Sequence, residues 1–214
     1  MSDWNWGDLR RLRPISRRFG YDRGLPIDRY YIERFLESHR GDVAGRTLEI
    51  GDDSYTSRYG GARATRRDVL DVVDRNPAAT IIADLVEAPQ IPDETFDCIV
   101  VTQTLHVVYD IRDAVGTLHR ILRPGGIVLA TFPGISQVVL DEKGRTWSWA
   151  LDARLARQLF VSRFREGGVT VATFGTFLAA AAFLQGLAAD ELTPAQLDAN
   201  EPGCELLVAV RAVR

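Results

Sequence analysis

The sequence predicts an α/β protein with a doubly wound, mostly parallel, seven-stranded sheet and helices on both faces. From residue 46 onward, short apolar segments typical of strands alternate with helical or loop segments. Two of these segments, 96–101 and 126–132, are nearly continuous apolar runs, as is typical of strands buried on both faces of a parallel sheet. Sheets of this kind bind ligands beyond the carboxyl ends of their strands. Candidate functional residues are therefore sought just after each strand.

One helix lies between the two most apolar strands and is the clearest local signal. The predicted strands cover residues 46–50, 64–69, 80–83, 96–101, 126–132, 169–174 and 205–212. A helix is predicted over 110–122, because Ile111, Val115 and Leu118 recur on one helical face. The sequence Pro124-Gly125-Gly126 is predicted to stop it. The resulting strand–helix–strand unit implies a right-handed crossover.

The chain is predicted to form a single domain, with an N-terminal helical extension over 1–44 and an α/β core over 45–214. In the extension, Pro26 and Asp28 open a helix that runs up to Gly41. The first two connections in the core are short for a crossover, since 51–63 has little room for a helix and Pro77 interrupts 70–79. We therefore expect shortened first crossover helices.

Composition excludes several classes of protein. The 214 residues include 26 basic and 29 acidic side chains, and this slightly acidic balance argues against nucleic acid as the main partner. Cys98 and Cys204 lie far apart and outside any CxxC motif, which argues against structural zinc and fits a reducing, cytoplasmic setting. The start lacks a signal-peptide core. The uncharged stretch 171–189 is interpreted as a strand and a small-residue helix rather than a membrane span.

A basic run near the N-terminus has two interpretations. It consists of Arg10, Arg11, Arg13, Arg17, Arg18 and Arg23. Such a run is usually a solvated face, but it could also hold an anionic substrate.

The turn after the first strand argues for a cationic ligand. Gly51 permits a tight turn, but the further glycines of a G-x-G-x-x-G dinucleotide motif are missing. Asp52 and Asp53 would repel a pyrophosphate, whereas a ligand with a positive centre and no phosphate suits them and Glu49. S-adenosylmethionine, with its sulfonium and ammonium groups, is such a ligand. The alternative is that these acids only cap the turn.

Further motifs carry a family resemblance. An acid, Asp68, closes the second strand, Ala83-Asp84-Leu85 follows the third, and the fourth strand and its helix read FDCIVVTQTLHVV and LHRILRPGG. Residues 46–133 resemble the core of a class I S-adenosylmethionine-dependent methyltransferase. More narrowly, RGLPIDRYYIERFLESH and LEIGDDSYTSRYGG resemble bacterial methyltransferases associated with glycosyltransferase and secondary-metabolite functions. The resemblance implies a Rossmann-like methyltransferase fold, although the usual G-x-G-x-G is reduced to Gly51.

The resemblance also implies the cofactor site. Asp68 would accept the ribose hydroxyls, while Asp84 and the Leu85 backbone would meet the adenine. Arg23 and Asp28 would contact the methionine carboxylate and ammonium. The cofactor-binding residues implied by the resemblance are Tyr30, Glu49, Gly51, Asp52, Asp68, Asp84, Leu85, Thr102 and Gln103, and no metal is expected.

His106 is the first candidate for a general base, because it lies just past the fourth strand and imidazole titrates near neutrality. The alternative is a wall histidine that packs on the cofactor. Gln103 and Tyr109 are candidates to orient the acceptor or to line the methionine end of the cofactor site.

Two later groups of residues are also candidates. Trp147, Trp149 and Phe160 form an aromatic-rich set that could hold a flat or sugar-like acceptor, belong to the core, or associate two copies into a homodimer. Asp141 and Glu142 are a weaker candidate for a base or a metal site.

The resemblance therefore implies methyl transfer from S-adenosylmethionine to a small molecule, at a hydroxyl of a sugar or natural product. The alternative is a methyltransferase-like binding or partner protein without catalysis, which the reduced glycine motif favours. A nucleotide-cofactor oxidoreductase is disfavoured by Asp52 and Asp53. Nucleic-acid methylation is disfavoured because TQTL stands where an N/D-P-P-Y-type tetrapeptide is expected.

Overall fold

The computed structural model describes residues 7–138 and 147–214. The strands are β1 (Gly45–Ile50), β2 (Ala64–Asp71), β3 (Ile81–Ile82), β4 (Phe96–Thr102), β5 (Leu122–Pro133), β6 (Val169–Phe174) and β7 (Leu207–Val213). The α-helices are α1 (Ile27–Ser38), α2 (Ile111–Ile121), α3 (Ala153–Val161), α4 (Phe177–Gln185) and α5 (Pro194–Asp198). The predicted fold class is confirmed.

All seven strands form one sheet in the order β3-β2-β1-β4-β5-β7-β6. Strands β1 to β5 run parallel, whereas β7 pairs antiparallel with both β5 and β6. The chain order reverses between β1 and β4, so the sheet has its topological switch point there. The carboxyl ends of the five parallel strands therefore meet along one edge of the sheet.

Helices cover both faces of the sheet. On one face, α2 and α3 pack Leu118 and Phe160 against strand residues such as Val128. On the other face, α1 and α4 pack Ile32 and Phe183 among buried residues of β4, β5 and β7. The strands between them are apolar on both sides, which explains why β4 and β5 could be identified from the sequence.

The stretch 171–189 forms most of β6 and then α4, as predicted. Thr176 caps α4 by accepting a hydrogen bond from the Ala179 amide, and Gly186 ends the helix in the left-handed conformation. Among the described residues, no helix is long and apolar enough to span a membrane.

The connections on the β1–β3 side are short, as expected. After β1 the chain makes one helical turn, a π-helix (Thr56–Gly60) and a 3₁₀ turn (Gly61–Arg63) before β2 begins. A Cβ added to Gly60 would lie 2.7 Å from Ala64 Cβ, so glycine permits this tight return to the sheet. Between β2 and β3 the described backbone consists of turns without a helix.

Two predicted boundaries differ from the structure. Strand β2 continues two residues beyond the predicted end, to Asp71. Helix α2 ends at Ile121, and Leu122 already pairs with Phe96 at the start of β5. Pro124-Gly125-Gly126 therefore lies within β5 and does not stop the helix, so that prediction was wrong.

Candidate functional site

A crevice of about 940 Å³ runs along the carboxyl edge of the parallel strands. Each of β1 to β5 contributes a residue at or just beyond its end. These residues are Gly51, Asp71, Asp84, Gln103 and Pro133. The crevice therefore lies where the topology predicts a ligand site.

The acids of the first turn do not line the crevice, and they accept hydrogen bonds from the turn itself. Glu49 is buried, and its carboxylate accepts hydrogen bonds from the amides of Thr56 (2.7 Å) and Tyr55 (3.2 Å). Burial raises the pKa of Glu49 to about 7. Asp52 accepts from the amide and hydroxyl of Ser54, at 2.8 and 2.6 Å. Glu49 and Asp52 therefore act as turn caps, which is the alternative interpretation given for them in the sequence analysis.

Gly51 is the residue of this turn that lines the crevice. Its φ of +90° is a conformation that residues with a Cβ rarely adopt, and a Cβ built there meets nothing within 4 Å. The turn is held by the Gly51 amide, which donates to Leu70 O at 2.9 Å, and by the Gly51 carbonyl, which accepts from Asn76 Nδ2 at 2.6 Å. The space beside Gly51 is open to a ligand.

Asp71, rather than Asp68, is the acid at the end of β2. Asp68 is buried within the strand, where Arg46 Nε lies 2.6 Å and Arg66 3.3 Å from its carboxylate, and it does not line the crevice. Asp71 lines the crevice and accepts hydrogen bonds from Asn76 Nδ2 (2.9 Å) and the Val73 amide (3.2 Å). The sequence prediction missed Asp71 because it ended β2 at residue 69.

Asp84 and Leu85 both line the crevice beyond β3. Asp84 is exposed, and its carboxylate accepts from the Val86 amide at 2.9 Å. Leu85 is buried and Val72 lies opposite the same space, half exposed. This end of the crevice offers an acid beside apolar side chains, as an adenine ring requires.

Past β4, Gln103 and Asp28 bring two buried acceptors into the crevice. Gln103 has a φ of +46°, an uncommon conformation for a residue other than glycine, and its Nε2 donates to Asp28 Oδ2 at 3.3 Å. In the described part of the chain, no donor reaches Asp28 Oδ1 or Gln103 Oε1, although both atoms are buried. Burial raises the pKa of Asp28, against the pull of Arg29. A cationic donor such as an ammonium suits this pair.

Arg29 is the arginine that accompanies Asp28 in the crevice. Its Nε donates to the Tyr21 hydroxyl at 2.9 Å. Burial lowers the pKa of Arg29, but the Asp28 carboxylate together with Tyr21 and Tyr55 outweighs this effect, and the pKa is raised overall. Arg23, which the sequence analysis placed at the methionine carboxylate, instead donates to the two carboxylate oxygens of Glu191 through Nε and Nη2.

Two other predicted cofactor residues do not line the crevice. The Tyr30 hydroxyl donates to Asp198 at 2.7 Å, which directs it toward α5. Thr102 is the last residue of β4, and its carbonyl accepts from the Thr104 hydroxyl at 2.8 Å. Of the predicted cofactor set, the structure brings Gly51, Asp84, Leu85 and Gln103 together in the crevice.

His106 lines the crevice on a 3₁₀ turn (Leu105–Val107) just after β4. Its ring meets Trp147 edge-on, with 5.3 Å between ring centroids, and Trp147 lines the crevice as well. The His106 carbonyl accepts hydrogen bonds from the amides of Ser148 and Trp149, which fix the chain after residue 146 against this turn. The backbone bonds therefore hold the turn in place, and the Trp147 contact restrains the imidazole at the wall.

The remaining aromatic candidates separate into different environments. Phe160 is fully buried in the core against Phe132, and Tyr109 is exposed beside Trp149. Asp141 and Glu142 lie outside the described residues. Within 7–138 and 147–214, no group of three or more His, Cys, Asp or Glu could hold a metal ion.

A second cavity, of about 390 Å³, lies between α2 and α3. Its lining includes Ile111, Leu155 and Leu159, and no strand end reaches it. It is therefore separate from the crevice.

Comparisons with known proteins agree with this architecture. Residues 57–130, about a third of the chain, match a family model described as a methyltransferase domain. A search of curated protein sequences finds no significant match. Among solved structures, the chain is similar to a SAM-dependent methyltransferase from Archaeoglobus fulgidus, with a TM-score of 0.58 and 10% identity over 86% of this chain and 94% of that one.

Two further structures show how varied proteins with this architecture are. One is 1,6-didemethyltoxoflavin-N1-methyltransferase from Burkholderia thailandensis, with a TM-score of 0.53 and 13% identity over 86% of this chain and 76% of that one. The other is the cyclase SpnF, with a TM-score of 0.55 and 16% identity over 90% of this chain and 83% of that one. At these identities the likeness shows the fold, and the reaction has to be argued from the site.

Proposed function

We propose that this protein transfers a methyl group from S-adenosylmethionine to a small-molecule acceptor, at a hydroxyl of a sugar or natural product. The observation that carries the proposal is the set of residues that line one crevice. Acids at the ends of β2 and β3, the open turn at Gly51, a pair of buried acceptors at Asp28 and Gln103, and His106 all line it. The matched methyltransferase domain supports the same activity.

The residues of the crevice would hold the cofactor at three places. Asp71 would accept hydrogen bonds from the ribose hydroxyls, and Asp84 with Leu85 would flank the adenine. Asp28 Oδ1 and Gln103 Oε1 would accept from the ammonium, and Arg29 would pair with the carboxylate. When bound, S-adenosylmethionine supplies the electrophilic methyl group.

The chain's own task is then to position the acceptor and remove one proton. The His106 imidazole takes the proton from the acceptor hydroxyl as a general base. The contact with Trp147 restrains the ring, and the hydrogen bonds from the amides of residues 148 and 149 hold the turn that carries it. Trp147 and Ser136 border the acceptor space, since both line the crevice on this side.

A transfer assay tests the proposal. The protein is incubated with S-adenosylmethionine labelled in its methyl group and with a panel of sugars and polyhydroxylated natural products. We expect label in at least one product, attached to oxygen, and no transfer without protein. Label found only on nitrogen or carbon would contradict the hydroxyl assignment, and no label in any product would contradict the proposed transfer to this class of acceptor.

A second candidate is a binding or partner protein that does not catalyse. The first turn favours this candidate. Glu49 and Asp52 accept hydrogen bonds from the backbone of the turn, so Gly51 is the residue of the turn that lines the crevice. Calorimetric titration with S-adenosylhomocysteine separates the two candidates. Saturable binding supports the enzyme, and no binding at millimolar ligand supports the second candidate.

A further inference from the structure

Two exposed arginines, Arg17 and Arg18, belong to the lining of the crevice. Neither guanidinium forms a hydrogen bond or an ion pair with any residue the structure describes, whereas the other arginine of the crevice, Arg29, is held by Tyr21. Arg23 and Arg58, by contrast, are ion-paired with Glu191 and Glu33.

The backbone that carries these arginines is fixed in place. Ser16 is buried, and its amide donates to Gln185 O (3.0 Å) while its carbonyl accepts from Gln137 Nε2 (3.1 Å). The Ser16 hydroxyl accepts from the Arg18 amide at 3.0 Å and donates to Asp22 at 2.5 Å. Gly186 packs so closely that an added Cβ would lie within 2.3 Å of Ser16 O. The two guanidiniums therefore start from an anchored segment, which reduces the entropy lost when they bind a ligand.

The anchor also places the arginines on the acceptor side. Gln137 follows β5, and Ser136 beside it lines the crevice. Asp71 and Asp84 lie at the ends of β2 and β3, on the other side of β1 and β4. Neighbouring strands are about 4.8 Å apart, so three spacings put the end of β2, with Asp71, about 14 Å from the end of β5, and four put the end of β3 about 19 Å away. A ligand held by Asp71, Asp84 and Gln103 leaves the side with the two arginines to a second molecule.

We infer that the acceptor carries an anionic group, a phosphate ester above all, which Arg17 and Arg18 bind. This inference rests on the proposed function. Two guanidiniums match the charge of a phosphate monoester, and their forked N–H groups bind its oxygens in pairs. Of the six arginines in the basic run of the sequence, these are the two that reach the crevice. Arg17 and Arg18 thus act as specificity-determining residues for an acceptor that carries both a hydroxyl and a phosphate.

Calorimetry with two probes tests the inference. Glucose 1-phosphate and glucose are titrated separately into the protein saturated with S-adenosylhomocysteine. We expect glucose 1-phosphate to bind at least tenfold more tightly than glucose. The R17Q/R18Q variant should lose this difference and keep its affinity for S-adenosylhomocysteine. The R154Q/R165Q variant is the matched control, because it removes two exposed arginines that do not line the crevice, and it should behave as the wild type does.

The other outcomes overturn the inference in distinguishable ways. Equal binding of the phosphate probe by R17Q/R18Q and the wild type would place anion binding elsewhere. Weaker binding of S-adenosylhomocysteine by R17Q/R18Q would mean that the arginines hold the cofactor. Absence of phosphate binding with S-adenosylhomocysteine still bound would overturn the anionic acceptor alone. Absence of S-adenosylhomocysteine binding would overturn the proposed function and, with it, the inference.

Discussion

The two halves of the parallel sheet connect their strands in different ways. Between β4 and β5 the chain forms a full amphipathic helix, α2, whose buried side includes Val115 and Leu118. Between β1, β2 and β3 the connections are turns and a π-helix held by polar caps such as Glu49 and the Asp71–Asn76 pair. The half with β4 and β5 is stabilised by apolar burial, and the half with β1 to β3 by hydrogen bonds to carboxylates. We therefore expect changes around β4 and β5 to alter stability or turnover. Changes at the strand ends and turns of β1 to β3 should alter ligand affinity and pH dependence, and changes to ion pairs inside those strands should alter stability.

The largest effect is expected at His106, just after β4. Replacing His106 with Gln should lower turnover by about 10²–10⁴-fold, because the general base is lost, while the affinity for S-adenosylhomocysteine stays the same. Turnover is measured as the initial rate with an acceptor that the wild type methylates, and the affinity is measured by calorimetry. His119→Gln is the control, since His119 packs edge-on against Phe164 away from the crevice. Full activity in H106Q would make His106 a wall residue.

The helical half should respond to core truncation. Leu118 is fully buried in α2, so Leu118→Ala should lower the free energy of unfolding by about 2–5 kcal/mol. Urea denaturation measures this change. Under conditions where the variant stays folded, its affinity for S-adenosylhomocysteine should match the wild type. A large loss of affinity would mean that the two halves are not separable in the way we describe.

The half with polar caps should respond to pH through Glu49. Its folded pKa of about 7 lies above the unfolded value of 4.5, so the folded state binds the proton more tightly. The contribution of Glu49 to stability is therefore fully present below pH 4.5 and is lost as pH rises to 7, by about 3 kcal/mol over that window. Glu49→Gln should remove this slope, as measured by denaturation at several pH values. The same slope in both proteins would assign it to another group.

The smallest expected effect is on cofactor affinity, and it is tested by comparing variants of the two acids of β2. Asp71→Asn should weaken binding of S-adenosylhomocysteine by about 1–3 kcal/mol, since a charged acceptor for the ribose hydroxyls is lost. Asp68→Asn should lower stability instead, because Asp68 is ion-paired with Arg46 inside the strand. Calorimetry and denaturation of both variants give the comparison. If Asp68→Asn alone weakened binding, the sequence-based assignment of the ribose acid would be restored.

This pair of acids also shows how far the sequence could predict the site. The sequence predicted all seven strands, most clearly β4 and β5, because burial on both faces leaves a nearly continuous apolar run. The end of β2 is marked less clearly, since Val69 and Leu70 are followed by Asp71 and the exposed Val72. An error of two residues there moved the assignment from Asp71 to Asp68. Asp68 lies three positions earlier, and because side chains alternate along a strand it points to the opposite face of the sheet.

Other differences from the sequence prediction arise from contacts between distant parts of the chain. Tyr30 bonds to Asp198 and Arg23 to Glu191, and no local pattern indicates either pairing. Arg29 enters the crevice because the first turn of α1 lies against Gln103 after β4. The sequence could predict which loops meet at the sheet edge, while the choice of side chain within each loop depended on tertiary packing.

The most direct test is a crystal structure of the protein with S-adenosylhomocysteine. Our account predicts density in the crevice, with the ribose hydroxyls on Asp71, the adenine beside Asp84 and Leu85, and the amino group at Asp28 and Gln103. Space beside the sulfur should open toward His106, Arg17 and Arg18. A ligand bound elsewhere, or a ribose facing away from Asp71, would contradict the account.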